Sequence, residues 1–363
     1  MAKNRIKIIY IINDLRIGGA ERFLVDLTNN LDYKVFEPKI VLLREKLDLK
    51  DELNKNIPVS VIGKKTRLGF GAIYKIYKYL KTEQPQIVHT QLFGGDIWGR
   101  IGAVKARVPI IISTEQNTNF DQSLFHNLAK IILAKWTDKT IAISQSVKDF
   151  SIKYDKVNPQ NITIIPNGVE IAKFKPAEKK NKKPVLITVA RLAEQKGHIY
   201  TIKALDKIRN LDWEYWIVGE GDLEGKLKNE VKKFNLSGKI KFLGKRKGIN
   251  ELLGKADIFV MNSLWEGLGI AAIEASLMEL PCVVSNIGGL NEVVADGRTG
   301  FLTQPKDINK IAEKIKQLIL NPDLRLKMGK EGRKQVIEKF SIKSVAKKYQ
   351  ELYLSLLKIS RQV

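Results

Sequence analysis

The feature that most constrains this chain is an alternation, kept up over most of its length, between short β-branched runs and segments of helical period. Runs at 6–12, 39–43, 87–90, 110–113, 140–143 and 162–165 are separated by stretches whose apolar residues recur every three or four positions. Parallel strands need a crossover between them, so strand and helix in alternation predict a parallel sheet covered by helices. At 174–184 the pattern gives way to a lysine-rich stretch bracketed by Pro176 and Pro184, which reads as a linker. The alternation resumes with runs at 185–190, 213–218, 240–243, 258–261 and 282–285. Beyond Pro322 the chain reads as helical to its end, with Val345, Tyr349, Leu352 and Leu356 at helical spacing.

A length of 363 residues accommodates two such domains. The expected organisation is one α/β domain over 1–173, a linker over 174–184, a second over 185–340 and a terminal helix over 341–363. Ligands of open α/β sheets bind beyond the carboxyl ends of the strands, so two facing Rossmann-like domains would share a cleft. The residues that follow each strand are therefore the ones to inspect for chemistry.

Composition narrows the classes. One cysteine excludes an internal disulfide framework and, with three histidines, leaves little for a structural zinc site, so a reducing cytoplasmic setting is expected. The apolar runs fall well short of the roughly 20 residues that cross a bilayer, and the N-terminal one is too short for a signal sequence. A net charge of +24 suits nucleic acid, an anionic membrane or a phosphorylated substrate. Outside residues 53–82 no basic stripe interleaved with base-stacking aromatics is evident, so nucleic acid is not an expected partner.

Three strand-end motifs carry chemistry. After the first run, Gly18 and Gly19 open a helix, where glycine lets backbone approach a ligand and the helix start offers amides to an anion. After the run at 185–190, Arg191 and Lys196 supply a fork and a point charge that can clamp a diphosphate. After the run at 258–261, a loop bearing Glu266 leads into a helix that holds Glu274, with the amides of Leu268, Gly269 and Ile270 aimed at a phosphate. Two carboxylates at this spacing can hold sugar hydroxyls on either side of that phosphate.

Taken in order with Pro166-Asn167-Gly168-Val169, Val218-Gly219-Glu220-Gly221 and Gly288-Gly289 followed by Glu292, these motifs resemble glycosyltransferase family 4, the retaining nucleotide-sugar transferases of the GT-B fold. The resemblance spans nearly the whole chain. It implies that Arg191 and Lys196 bind the donor diphosphate, Glu274 the nucleotide ribose, and Glu266 the transferred sugar near its reacting carbon. It also implies that Gly18 and Gly19 approach the diphosphate from the other domain, and that the terminal helix returns to the first domain. The nucleotide sugar is then a substrate, and neither a further cofactor nor a metal is expected. The acceptor is a glycan or a lipid-linked sugar, as in cell-surface polysaccharide synthesis. A sugar-nucleotide epimerase and a non-catalytic partner subunit are the competing readings on this fold.

The chain departs from the family where relatives often carry a histidine after the run at 110–113: it has Gln116, which can hydrogen-bond a sugar hydroxyl but cannot titrate near neutral pH. His89 follows another strand and is a second candidate sugar contact, with a structural role as its alternative. His126 and His198 read as surface residues, and Cys282 as a small buried side chain. The segment 53–82 contains seven basic residues and no acidic one. Its helix at 72–81 places Ile73, Ile76, Tyr77 and Leu80 on one face and Lys75 and Lys78 on the other, with Lys64, Lys65 and Arg67 preceding it. Such a face suits an anionic bilayer, which predicts peripheral attachment to the inner face of the cell membrane.

Overall fold

The computed structural model describes residues 5–63, 70–118, 124–176, 181–246 and 248–360. The chain divides into two compact units, one of residues 1–168 with 342–363 and the other of residues 169–341.

In the first unit, seven parallel strands carry the sheet: β1 (Ile6–Ile12), β2 (Phe36–Leu42), β3 (Val59–Val61), β4 (Ile87–Gln91), β5 (Ile110–Glu115), β6 (Lys139–Ala142) and β7 (Ile162–Ile164). Their spatial order is β3-β2-β1-β4-β5-β6-β7. Between them run α1 (Gly19–Asn29), α2 (Phe70–Glu83), α3 (Phe93–Ala106), α4 (Leu124–Ala134) and α5 (Gln145–Lys153). Because β1 is central, alternate residues go to opposite cores. Ile8, Tyr10 and Ile12 join one, with Phe23 of α1, while Ile9 and Ile11 join the other with Ile73, Ile76 and Leu80 of α2.

The second unit repeats the arrangement with β8 (Val185–Val189), β9 (Glu214–Val218), β10 (Ile240–Gly244), β11 (Ile258–Met261), β12 (Cys282–Ser285) and β13 (Gly300–Thr303), ordered β10-β9-β8-β11-β12-β13. Its helices are α6 (His198–Lys207), α7 (Glu224–Lys233), α8 (Ile249–Gly254), α9 (Ile270–Leu277), α10 (Leu290–Val293), α11 (Ile308–Leu320) and α12 (Pro322–Phe340). The last helix, α13 (Ile342–Ser360), packs Val345, Tyr349 and Tyr353 into the core of the first unit, against β1 and α1. Both sheets reverse their strand order once, between β1 and β4 and between β8 and β11. At such switch points the loops diverge and leave a crevice at the carboxyl ends.

Two strands escape the sequence pattern. β3 and β13 are short edge strands, and β13 opens on Gly300, where a Cβ would lie 2.2 Å from the Cys282 carbonyl oxygen. Strand β2 begins three residues earlier than its β-branched run because Pro38 is accommodated within it. β3 pairs only with Ile40 to Leu42, so the missing proline amide falls beyond the end of that partner.

Candidate active site

The second unit brings two of the three strand-end motifs together at its switch point. Arg191 and Lys196 lie in the loop after β8, and Glu266 in the loop after β11. Lys196 Nζ donates to Glu266 Oε2 at 2.5 Å, and both side chains are largely buried. Ser263 Oγ donates to the same carboxylate oxygen at 3.3 Å. Arg191 is exposed, and its guanidinium reaches Gln195 Oε1 at 3.3 Å. Gln195 in turn donates to the Trp265 carbonyl at 3.0 Å, and the Leu264 amide donates to the Gln195 carbonyl at 2.7 Å. The two loops are thus stitched to one another by Gln195, a residue without an evident role in the sequence.

Glycines set the close approaches. Gly197 adopts φ +60°, and a Cβ there would lie 1.9 Å from the Asn262 carbonyl oxygen, so only glycine lets the β8 loop turn against the end of β11. Gly269 adopts φ +85° and begins α9, with its missing Cβ 2.4 Å from Leu290 Cδ2. The first intrahelical donor of α9 is Ala272, so the preceding amides of Gly269, Ile270 and Ala271 have no partner within the helix. Leu268 is buried and sits just ahead of this set. Glu274 stands half-buried on the second turn of α9. The glycines of the 218–221 motif serve packing, since Cβ atoms on Gly219 and Gly221 would meet the Ala190 and Leu192 carbonyl oxygens at 2.0 and 2.5 Å.

His198 is buried rather than at the surface. Its Nε2–H donates to the Arg191 carbonyl at 2.9 Å, and burial pushes its pKa down to about 4, with the neighbouring Lys196 acting in the same direction. A neutral imidazole therefore braces the loop that carries Arg191. Its position directly after Gly197, at a helix start, was the available signal. Cys282 is buried, with its thiol pushed up to about 12 by desolvation.

In the first unit, Gly18 caps α1 with an extended backbone and Gly19 is its first residue, both after β1 at the switch point. His89 departs from the expected sugar contact. It is fully buried, with Nδ1 against Tyr353 Oη at 2.8 Å and Nε2 against Thr114 Oγ1 at 2.6 Å, and burial lowers its pKa to about 3. Both ring nitrogens are occupied within the core, so this histidine ties α13 to the sheet and offers no nitrogen to a ligand. Gln116 stands after β5 and accepts from Asn167 Nδ2 at 2.7 Å, while its own amide reaches Gln91 Oε1 at 3.4 Å. Asn167 and Gln91 are partners the sequence did not reveal.

Among the basic residues expected to face a membrane, Lys64, Lys65 and Arg67 lie outside the described residues, as does the side chain of His126. Lys78 is exposed on α2, while Lys75 bends back to donate to the Ile62 carbonyl at 2.9 Å. Among the described residues no helix is long and apolar enough to cross a membrane, and no group of three metal-ligating side chains occurs.

Two parallel sheets of these orders, with basic residues and a glycine-capped helix at the switch point of the second, define a GT-B glycosyltransferase. Residues 17–173 match the model of Glycosyltransferase Family 4, and residues 169–335 that of Glycosyl transferases group 1. The UDP-Gal:alpha-D-GlcNAc-diphosphoundecaprenol alpha-1,3-galactosyltransferase of Escherichia coli is 34% identical over 308 residues, covering 79% of each chain. The Staphylococcus aureus capsular polysaccharide biosynthesis glycosyltransferase CapM is 27% identical over 311 residues, covering 80% of this chain and 82% of its own. Among solved structures, Anabaena HepE in complex with UDP and glucose has a TM-score of 0.84 at 20% identity, over 97% of this chain and all of that one. A Rickettsia africae glycosyltransferase has a TM-score of 0.84 at 23% identity, over 98% of this chain and all of its own. The chain belongs to glycosyltransferase family 4 and is a glycosyltransferase.

Proposed function

We propose that the enzyme moves a sugar from a nucleoside diphosphate donor, with UDP as the first nucleotide to test, to a glycan or lipid-linked acceptor, with retention at the anomeric carbon. The observation that carries this reading is the Lys196–Glu266 contact at 2.5 Å, which joins two motifs 70 residues apart. Arg191, Lys196 and the first amides of α9 bind the diphosphate and take up the charge that grows on it as its bond to the anomeric carbon breaks. Glu274 holds the ribose, and Glu266 holds the sugar. The acceptor hydroxyl attacks from the face the diphosphate is leaving and gives its proton to the departing phosphate oxygen, so no protein nucleophile and no metal are required. Gln116, oriented by Asn167, offers a neutral hydrogen bond to a sugar hydroxyl. The work is done at the cytoplasmic face of the membrane, a setting supported by the lipid-linked acceptor named for the E. coli relative.

Thermal shift against UDP-, GDP- and ADP-sugars tests the donor, because a ligand at 100 times its dissociation constant stabilises by about 2.7 kcal/mol. Product analysis by NMR then reads the anomeric configuration. Arg191→Ala and Lys196→Ala each remove a charged hydrogen bond worth roughly 1.5–3 kcal/mol, so UDP should bind about ten- to a hundredfold more weakly. UDP affinity unchanged in both variants would overturn the assignment.

A further inference from the structure

Helix α4 turns an apolar face to solvent. Leu128, Ile132 and Trp136, four residues apart along and just beyond the helix, are 59%, 50% and 54% exposed. On a surface helix that stripe is ordinarily polar. The orientation is fixed from behind: Leu133 packs in the core, and the buried Lys130 Nζ is held by Glu115 Oε2 at 2.7 Å and Asp155 Oδ2 at 2.9 Å. A rotation of α4 that hid the stripe would tear a buried cation from two carboxylates.

The charge around the stripe identifies what covers it. Helices α3, α4 and α5 all finish at the amino-terminal edge of the sheet, as crossover helices of a parallel sheet must. Around their ends Lys105, Arg107, Lys135, Lys153 and Lys156 are exposed, against two exposed carboxylates: Asp138, which accepts from the Ile111 amide at 2.7 Å, and Asp149, which accepts from Gln145 Nε2 at 2.7 Å. Tyr154 stands exposed at the end of α5 beside Lys153, whose Nζ lies 5.1 Å from the ring centroid. Apolar side chains flanked by tryptophan, tyrosine and cations match a headgroup layer, whose depth takes the apolar groups and whose surface takes the charges.

We propose that the outward face of α4 lies on an anionic lipid bilayer, with Leu128, Ile132 and Trp136 entering the headgroup region and the cations at the ends of α3, α4 and α5 meeting lipid phosphates. This rests on the reading that the enzyme works at a membrane, and it locates the contact on a different element from the basic segment 53–82.

Vesicles of phosphatidylcholine with and without phosphatidylglycerol, the latter also with brominated acyl chains, provide the test. The parent chain should sediment with the anionic vesicles, and brominated chains should quench its fluorescence. The Trp136→Phe variant should still sediment and lose most of that quenching. The triple variant L128Q/I132Q/W136Q should partition at least tenfold more weakly with an unchanged thermal midpoint, whereas Lys75→Gln with Lys78→Gln should partition like the parent. A triple variant that sediments like the parent, or Trp136→Phe quenched as strongly as the parent, overturns the α4 contact and leaves membrane attachment standing. A parent that binds neither vesicle overturns both. A parent that is dimeric in solution and becomes monomeric in the triple variant assigns the face to a second copy of the chain and also overturns the proposal.

Discussion

Replacing Glu266 with glutamine should tighten the binding of free UDP while slowing sugar transfer. Lys196 spends one of its three donors on Glu266 at 2.5 Å. A diphosphate oxygen bound by another donor of the same ammonium group would stand about 5 Å from that carboxylate, where two unit charges repel by about 0.8 kcal/mol at the dielectric of water and about 3 kcal/mol at an effective value near 20. Both carboxylate and ammonium are only 12–15% exposed, so screening is partial and the lower end of that range is a minimum. A gain of about 1 kcal/mol corresponds to UDP binding roughly fivefold tighter in Glu266→Gln. Isothermal titration with UDP reads the affinity, and initial rates with the nucleotide sugar read transfer. Transfer should fall because the uncharged amide no longer stabilises positive charge developing at the anomeric carbon. UDP binding weakened in Glu266→Gln would refute the reasoning, since it would mean that the carboxylate supports the diphosphate site and does not compete with it.

Gly269→Ala should destabilise the chain by about 2–4 kcal/mol, combining a left-handed backbone at φ +85° with a Cβ 2.4 Å from Leu290, and a denaturant unfolding curve gives the value. Both buried imidazoles are neutral in the folded chain and ionise near pH 6.5 when it unfolds. Stability should therefore be full above about pH 6.5 and decline as the pH falls towards about 4 for His198 and about 3 for His89. At pH 5 each histidine costs about 2 kcal/mol, and His198→Gln should flatten its share of the slope in urea unfolding at pH 7.5 and 5. On the proposed reading, in which side-chain cations and helix amides meet the diphosphate, excess chelator should leave transfer unchanged; activity lost to chelator and restored by Mg²⁺ would contradict that.

The strands most sharply legible in the sequence are those buried on both faces. Ile6–Ile12, Ile258–Met261 and Cys282–Ser285 are flanked by partners on both sides, and their continuous β-branched runs have the same limits as the strands. The edge strand Ile162–Ile164 was legible because its run is β-branched throughout, whereas Val59–Val61 is interrupted by Ser60 and Gly300–Thr303 opens on a glycine, so neither registered. His89 and His198 mark a different limit. A histidine in a polar stretch reads as exposed or reactive, yet one is buried by Tyr10, Tyr349 and Tyr353, residues supplied from far along the chain, and the other by a turn that only Gly197 permits. Long-range partners decide the chemistry of both rings.

The same limit shapes the site. The resemblance assigns Lys196 to a phosphate and Glu266 to a sugar, as if the two acted apart, whereas the fold closes them on one another. The net charge of +24 therefore overstates the pull on a diphosphate at this switch point, where Arg191 and Lys196 stand with Glu266 and Glu274 and the formal charges cancel. On the proposed reading, a donor would be held by redistributing those contacts, with Lys196 shared between carboxylate and phosphate and the α9 amides adding partial positive charge. On the same reading, Glu266 would reclaim Lys196 as the diphosphate departs after transfer, which would lower the barrier to product release. On this argument Glu266→Gln should be more strongly inhibited by UDP than the parent at equal donor concentration, and the increase should match the gain in UDP affinity measured by titration.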